Sequence, residues 1–191
     1  MREESLTRKT KETSISVKVN LDGTGESKIS TGILFLDHML EAMAKHGRFD
    51  LEIKATGDLK HHIAEDVFIT LGEAILKALG EKRGICRFGE AIVPMDEVLI
   101  LTAVDLSGRP YFSGNLKFSQ KKVEDLETEM VPHLLRTFSS SARFTLHVLV
   151  MQDGEDHHKA EAVFKSLGIA LSRAWNLCGR GIPSTKGKID G

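Results

Sequence analysis

The chain has 191 residues and a formal net charge of −1, with 26 Lys and Arg residues against 27 Asp and Glu residues. That length fits one domain whose core can fold without disulfides or structural metals. The balanced charge argues against a nucleic-acid-binding protein, which needs a basic surface. The polar N-terminal segment MREESLTRKTKETS lacks the apolar core of a secretory signal, and the longest apolar run, residues 98–104, is too short to span a membrane. Because Cys86 and Cys178 form no CxxC pattern, we expect both thiols to be reduced. These features together predict a cytoplasmic protein without nucleic-acid or membrane partners.

Strands and helices alternate in the predicted first half of the chain. Residues 12–25, ETSISVKVNLDGTG, alternate apolar and polar side chains as a half-buried strand does, and they end in a glycine turn. Residues 33–46 carry an apolar stripe at helical spacing that stops at Gly47. The segment FDLEIKA alternates again, which predicts a second strand, and residues 63–79 form a second predicted helix.

The second half repeats this order. The stretch EVLILTAVDLSGRP, residues 97–110, corresponds to the first strand, and PHLLRTFSSSARFTLHV corresponds to the first helix and the strand after it. The segment HHIAEDVFITLGEAI beginning at His61 recurs as HHKAEAVFKSLGIAL beginning at His157, and His38 aligns with His133. A repeat of this length indicates that the chain arose by duplication.

These patterns predict an α+β fold with an internal duplication, in which two similar halves each combine a mostly antiparallel β-sheet with two helices. No linker rich in Pro, Gly or Ser separates the halves. We therefore predict a single catalytic domain over residues 1–191, with repeated halves at about 8–88 and 89–187.

The repeat also duplicates a set of potential metal ligands. In the first copy His61 and Glu65 share one helical face, whereas His62 is rotated by about 100° and points elsewhere. The apolar stripe lies on the opposite face, so another surface, either the other half or another subunit, must complete a site. The candidate ligands are His38, His61, His62, Glu65, His133, His157, His158 and Glu161. Divided over two ions, they provide three imidazoles and one carboxylate each, which closes a tetrahedral zinc site but leaves vacancies on an octahedral ion such as manganese.

Other metal proteins fit the sequence less well. Neither HExxH nor HxxEH is present, which argues against a zinc protease. The Glu-x-x-His motif of di-iron bundles occurs on four long helices, whereas this chain is rich in predicted strands. His46 and His147 have no counterpart histidine in the other half, so each is as readily explained as an ordinary polar residue as by a functional role.

Several cations could bind an anion. Lys165 follows Glu161 by one helical turn, where the first copy has Ile69. Arg87, Arg109, Ser184 and Lys186 could hold a phosphate group through charge-assisted hydrogen bonds. Each of these residues, taken alone, is better explained as a solvated surface charge.

Six segments resemble the imidazoleglycerol-phosphate dehydratase family. They are GILFLDHMLEAMAKHGRFDL, HHIAED, VPMDE, DLSGRPYF, EDHHKAEAVFKSL and PSTKG. The resemblance covers about residues 8–187 and implies the duplicated α+β fold. It implies a lyase that dehydrates D-erythro-imidazole glycerol phosphate to imidazole acetol phosphate in histidine biosynthesis. It further implies two Mn²⁺ ions per active site, and a homo-oligomer of 24 subunits with octahedral symmetry whose active sites lie between subunits.

The resemblance also implies a role for each matching residue. The metal ligands would be the eight His and Glu residues named above. Phosphate would be held by Arg87, Arg109, Lys165, Ser184 and Lys186. The catalytic positions would be Glu161, Glu12, Asp96 and His46. The chain departs from the family in a shorter loop, GDLKHH, before the first His pair, and in its C-terminal ending KIDG.

The implied chemistry explains why this residue set is needed. The proton lost from C2 of the glycerol chain has no adjacent carbonyl group, so the imidazole ring would accept the electrons, with one metal ion on each ring nitrogen. A carboxylate must move that proton, and Glu161 is the first candidate, followed by Glu12 and Asp96. Two alternatives stay open: a two-metal phosphatase, which usually has more carboxylates, and a metal-stapled assembly or storage protein, which would need no phosphate clamp.

Overall fold

The computed structural model describes residues 2–189, and the first half of the chain contains four strands and two helices among them. These elements are β1 (Glu3–Lys9), β2 (Thr13–Asn20), β3 (Ser27–Ser30), α1 (Leu34–Gly47), β4 (Asp50–Gly57) and α2 (Lys60–Leu79). The second half continues with β5 (Phe88–Met95), β6 (Val98–Asp105), β7 (Tyr111–Gly114), β8 (Lys122–Val123), β9 (Leu126–Glu127), α3 (Met130–Ser141), β10 (Thr145–Gln152) and α4 (Asp156–Trp175).

The two halves form two sheets of the same topology. The strand order is β1-β2-β4-β3 in the first sheet and β5-β6-β10-β7 in the second. Within each sheet the neighbouring strands are antiparallel except for the last pair, β3 with β4 and β7 with β10, which is parallel. The small hairpin β8–β9 has no counterpart in the described part of the first half. The predicted α+β class and its internal duplication are confirmed.

The helices pack crosswise between the halves. In the first sheet α2 covers β1 and β2 and α1 covers β3 and β4, while in the second sheet α4 covers β5 and β6 and α3 covers β7. Helix α1 then packs against α4, and α2 packs against α3. Phe68 and Phe164, which are equivalent positions of the repeat, meet at 6.2 Å between ring centroids. Both halves therefore share one hydrophobic core between the two sheets.

Glycine allows the close approach of these helix pairs. A Cβ atom at Gly168 of α4 would overlap the carbonyl oxygen of Met43 in α1. At the equivalent position of the first copy, a Cβ atom on Gly72 of α2 would lie 2.6 Å from the Cβ atom of Ser141 in α3. The Leu-Gly pair that recurs in the two halves thus marks two helix crossings that have no room for a side chain.

Three features of the fold differ from the sequence-based expectations. Helix α2 begins at Lys60, ahead of the predicted start, and strands β1, β3, β5, β7, β8 and β9 were not predicted. The expectation of reduced thiols is wrong, because Cys86 and Cys178 form a disulfide across Cα atoms 5.1 Å apart. This bond ties the start of β5 to the segment that follows α4, a pairing that spacing alone does not reveal. Among the described residues, no helix combines the length and the apolar character needed to cross a bilayer.

Candidate functional site

The first ligand cluster combines residues of both halves because α1 packs against α4. His38 lies on α1, whereas His157 and Glu161 lie one turn apart on α4. The Nε2 atoms of His38 and His157 lie 3.5 and 3.4 Å from Oε2 of Glu161. One ligand atom from each of the three residues therefore converges on one point, within 4.8 Å of the other two.

The second ligand cluster arises in the same way from α2 and α3. His61 and Glu65 lie on α2, with their Nε2 and Oε2 atoms 3.7 Å apart. His133 on α3 places its Nε2 atom 3.3 Å from Oε1 of Glu65. That nitrogen is buried and forms no hydrogen bond within the described part of the chain. A buried polar atom without a partner is costly, so its orientation toward two other ligand atoms indicates that a group is missing between them.

The donor sets of both clusters fit a divalent metal ion. Each cluster has two imidazole nitrogens and one carboxylate oxygen, which suit first-row metals such as Mn, Fe and Zn. Three ligands fill fewer positions than an octahedral ion offers, so room remains for a further ligand and for a substrate. The predicted residues His38, His61, Glu65, His133, His157 and Glu161 are thus brought together in two groups of three.

The other histidine of each adjacent pair lies outside both clusters. The Nδ1 atom of His62 lies 2.9 Å from Oδ1 of Asp58 and 3.8 Å from Oε2 of Glu12. The hydrogen bond with Asp58 raises the pKa of His62. His158 places Nδ1 3.3 Å from Glu97 and Nε2 3.7 Å from Asp96. The rings of each pair diverge, with interplanar angles of 83° and 87°, so neighbouring histidines point at different places.

The surroundings of the two cluster carboxylates differ. Oε1 of Glu161 lies 2.7 Å from Nζ of Lys165. In the first copy the position equivalent to Lys165, one turn after Glu65, is Ile69. Burial alone would raise the pKa of Glu161, but the hydrogen bond and charge of Lys165 outweigh it and hold that pKa below its usual value. His46 lies nearby on α1, and burial followed by the Lys165 charge lowers the pKa of its imidazole.

The ligand faces of the two copies are covered to different extents. Glu161 is only 8% exposed, whereas its counterpart Glu65 is partly exposed. Packing of α1 across α4 covers this part of the second copy. The covering surface is supplied by the other half of the chain, and the helical periodicity of α4 alone cannot show how much of the ligand face it covers.

Four of the five predicted phosphate ligands line one cavity. The cavity has a volume of about 410 Å³, and its lining includes Arg87, Arg109, Ser184 and Lys186. Arg87 is fixed there, since its guanidinium forms hydrogen bonds of 2.7 and 3.2 Å with the carboxylate of Asp105. The ion pair with Asp105 also raises the pKa of Arg87. Lys165, the fifth predicted residue, lies in the first ligand cluster instead.

Some residues of the site were missed from the sequence. Asp58 and Glu97 contact the outlying histidines, and Ser107 and Lys188 line the basic cavity. The repeat carried a usable signal for one of them: aligning ETSISVKV with EVLILTAV pairs Glu12 with Glu97. The remaining three occupy loops, where the two halves share too little sequence for the alignment to identify a role.

Together the fold and the site define a class: internally duplicated α+β proteins with paired histidine–carboxylate clusters and a separate cavity lined by basic residues. A family model described as imidazoleglycerol-phosphate dehydratase matches residues 31–171. The chain therefore belongs to the imidazoleglycerol-phosphate dehydratase family, which consists of hydro-lyases of histidine biosynthesis.

Individual relatives agree with this assignment. An imidazoleglycerol-phosphate dehydratase of Methanocella arvoryzae is 52% identical over 193 residues, which cover 99% of this chain and all of that protein. A relative of the same name in Phytophthora nicotianae is also 52% identical, but this chain spans only 43% of its length. The crystal structure of the Pyrococcus furiosus enzyme, in complex with (S)-C348, aligns with a TM-score of 0.81 at 36% identity, covering 96% of this chain and 99% of that one.

Proposed function

We propose that this chain is a metal-dependent lyase of the cytoplasm that converts D-erythro-imidazole glycerol phosphate to imidazole acetol phosphate. The observation that carries the proposal is the coexistence of two His–His–Glu clusters with a separate basic cavity. A substrate with an azole ring at one end and a phosphate group at the other needs both kinds of site. Membership of the family supplies the reaction class.

The residues that would hold two Mn²⁺ ions per active site form the two clusters. His38, His157 and Glu161 would bind one ion, and His61, Glu65 and His133 the other. When bound, the two ions would act as Lewis acids toward the nitrogens of the substrate ring. Within residues 2–189 no third imidazole joins either cluster.

We propose that the outlying histidines complete the sites of neighbouring subunits. His62 and His158 are only partly covered in the single chain, and each is held at Nδ1 by a carboxylate. Nε2 of each ring is thus left to act as a ligand. Active sites at subunit boundaries in a shell of 24 subunits would use both histidines in this way, because each cluster then gains its third imidazole.

Proton transfer at C2 requires a carboxylate that is basic enough. Glu161 is in contact with the first cluster, but the lowered pKa of its carboxyl group keeps it charged and weakens it as a base. Glu12 and Asp96 lie beside His62 and His158, are 58% and 76% exposed in the single chain, and form no ion pair with a lysine within residues 2–189. We therefore place Glu12 and Asp96 ahead of Glu161 as the group that moves the C2 proton, with His46 close to the Glu161 side of the site.

The basic cavity would bind the phosphate group. The charge of Arg87 is already compensated by Asp105, so its main contribution is to shape the cavity. Arg109 and Lys186 form no ion pair within residues 2–189 and would supply charge to the phosphate, and Ser184 provides a hydroxyl group next to them.

The proposal is tested by incubating the chain with imidazole glycerol phosphate and Mn²⁺ and following two products in parallel. A lyase yields an enolisable ketone without inorganic phosphate. Release of inorganic phosphate without the ketone would instead show a two-metal phosphatase. If neither product formed, the chain would be interpreted as a metal-binding assembly protein. Arg109→Ala provides a matched variant, since it should lower ketone formation while the metal content of the protein is unchanged.

A further inference from the structure

Both outlying histidines have a carboxylate at Nδ1, but the two halves supply it from different elements. In the first half it comes from Asp58, in the turn before α2. In the second half it comes from Glu97, in the turn between β5 and β6, whose two carboxylate oxygens each lie 3.3 Å from Nδ1 of His158. The same ring nitrogen thus meets a carboxylate in both halves, although the residue and its element differ.

Alignment of the two halves shows which residue of the second half corresponds to Asp58. The position equivalent to Asp58 in the second copy is Gly154. A Cβ atom placed on Gly154 would collide with the side chain of Glu97, coming within 2.8 Å of its Cδ atom. Glu97 therefore fills the space that an aspartate side chain occupies in the first half. The counterpart of Glu97 in the first half is Glu12, which stays 3.8 Å from His62 because Asp58 is closer.

From this geometry we infer that Asp58 and Glu97 are equivalent positioning residues for His62 and His158. Each carboxylate accepts a hydrogen bond from Nδ1–H and fixes the imidazole in the tautomer whose Nε2 is unprotonated. Within residues 2–189 the Nε2 atom of His62 forms no hydrogen bond, and that of His158 lies 3.7 Å from its nearest recorded carboxylate oxygen, on Asp96. The inference rests on the proposed function in one respect, since it takes Nε2 of these histidines to be a metal ligand.

The equivalence can be tested by moving the carboxylate from one position to the other. Asp58→Ala and Glu97→Ala should each weaken the binding of one Mn²⁺ ion about ten- to a hundred-fold, the usual effect of removing such a hydrogen-bond acceptor from a ligand. Gly154→Asp added to Glu97→Ala should restore the affinity, because the new carboxylate then stands where Asp58 stands in the first half. The backbone at Gly154 lies outside the left-handed region, so aspartate is tolerated there.

The measurement is Mn²⁺ bound per chain at controlled free Mn²⁺, by equilibrium dialysis and elemental analysis, with the thermal midpoint recorded for each variant. Glu97→Gln retains an acceptor for the amide of Glu155, which donates to Oε1 at 2.7 Å, and so separates loss of charge from a disturbed start of α4. Glu81→Ala is the control, because that carboxylate pairs only with Arg83 in the described structure and should change nothing.

The outcomes separate this inference from the proposed function. If His62→Ala loses an ion while Asp58→Ala and Glu97→Ala bind as the unaltered chain does, the positioning role is refuted and the metal site stands. Failure of Gly154→Asp to rescue Glu97→Ala would refute the equivalence of the two carboxylates. An unaltered chain that binds no Mn²⁺ would overturn the proposed function and this inference with it.

Discussion

At the scale of single residues, the two halves have diverged most beside their cluster carboxylates. Lys165 forms an ion pair with Glu161, whereas Ile69 occupies the equivalent place beside Glu65. Because the ammonium group shares the charge of Glu161, the two clusters cannot bind a cation identically. The same ammonium group stands at the edge of a cluster, where it can attract an anionic substrate.

Lys165→Ala should raise the KM for the phosphorylated substrate about ten- to a hundred-fold, since a charged contact of this kind is worth about 1.5–3 kcal/mol. Metal content at saturating Mn²⁺ should stay the same, because Lys165 is not a ligand. Lys165→Arg keeps the charge and serves as the control. Steady-state kinetics and elemental analysis check the prediction, and a kcat/KM equal to that of the unaltered chain would contradict it.

Asp50 provides a prediction about pH. Burial alone would raise the pKa of Asp50, but hydrogen bonds from the backbone amides of Thr24, Glu26 and Gly25 and from Asn20 outweigh it and lower the pKa below 3.8. A carboxyl group whose pKa is lowered on folding adds stability above its unfolded pKa and loses it as the pH falls through the folded value. Asp50→Ala should therefore cost about 1–3 kcal/mol at pH 7 and progressively less below pH 4.

The check for Asp50 is urea unfolding between pH 3 and pH 7. Glu52→Ala on the same strand is the control, since that side chain is exposed. The two chains are compared by their free energies of unfolding. A difference between Asp50→Ala and the unaltered chain that stays constant over this pH range would show that the hydrogen bonds from the amides do not depend on the charge of Asp50.

At the scale of elements, the crossings of α1 with α4 and of α2 with α3 build the site, because they bring His38 to Glu161 and His133 to Glu65. Gly168→Ala should lower the free energy of unfolding by about 1–3 kcal/mol, since the new methyl group meets backbone that cannot yield. Gly181→Ala, where a Cβ atom meets nothing within 4 Å, should change it by less than about 0.5 kcal/mol. Equal unfolding midpoints of the two variants at one protein concentration would contradict the tight crossing.

The sequence was most informative where the two halves repeat one another. The duplication, the α+β class and the bounds of α1 followed from periodicity, since an apolar stripe and a stop at glycine are local signals. Strand β1 was missed because its edge position lets charged residues such as Glu3 and Lys9 alternate along it. The assignment of His38 to Glu161, rather than to Glu65, could not be derived, since it depends on which helices cross. Which helices cross is decided by tertiary packing, and the periodicity of neither helix reveals it.

At the scale of the whole molecule, each cluster has two imidazoles within residues 2–189, whereas the proposed metal site needs a third, which His62 and His158 of neighbouring subunits would supply. Assembly and metal binding should therefore be coupled, because an ion that binds only the assembled form stabilises it by mass action. Chelator at low pH, where histidines are protonated, should produce smaller species that regain full mass when Mn²⁺ is added at neutral pH. Light scattering checks this prediction, and a metal-free protein that keeps its full mass would count against the coupling.

The most direct measurement of the central claim is the anomalous scattering of manganese in crystals of the Mn²⁺-loaded protein. The account predicts two ions per chain, one contacting His38, His157 and Glu161 and the other contacting His61, Glu65 and His133. Each ion should also contact His62 or His158 of the partner subunit. A single ion per chain, or two ions whose ligands all come from one chain, would contradict it.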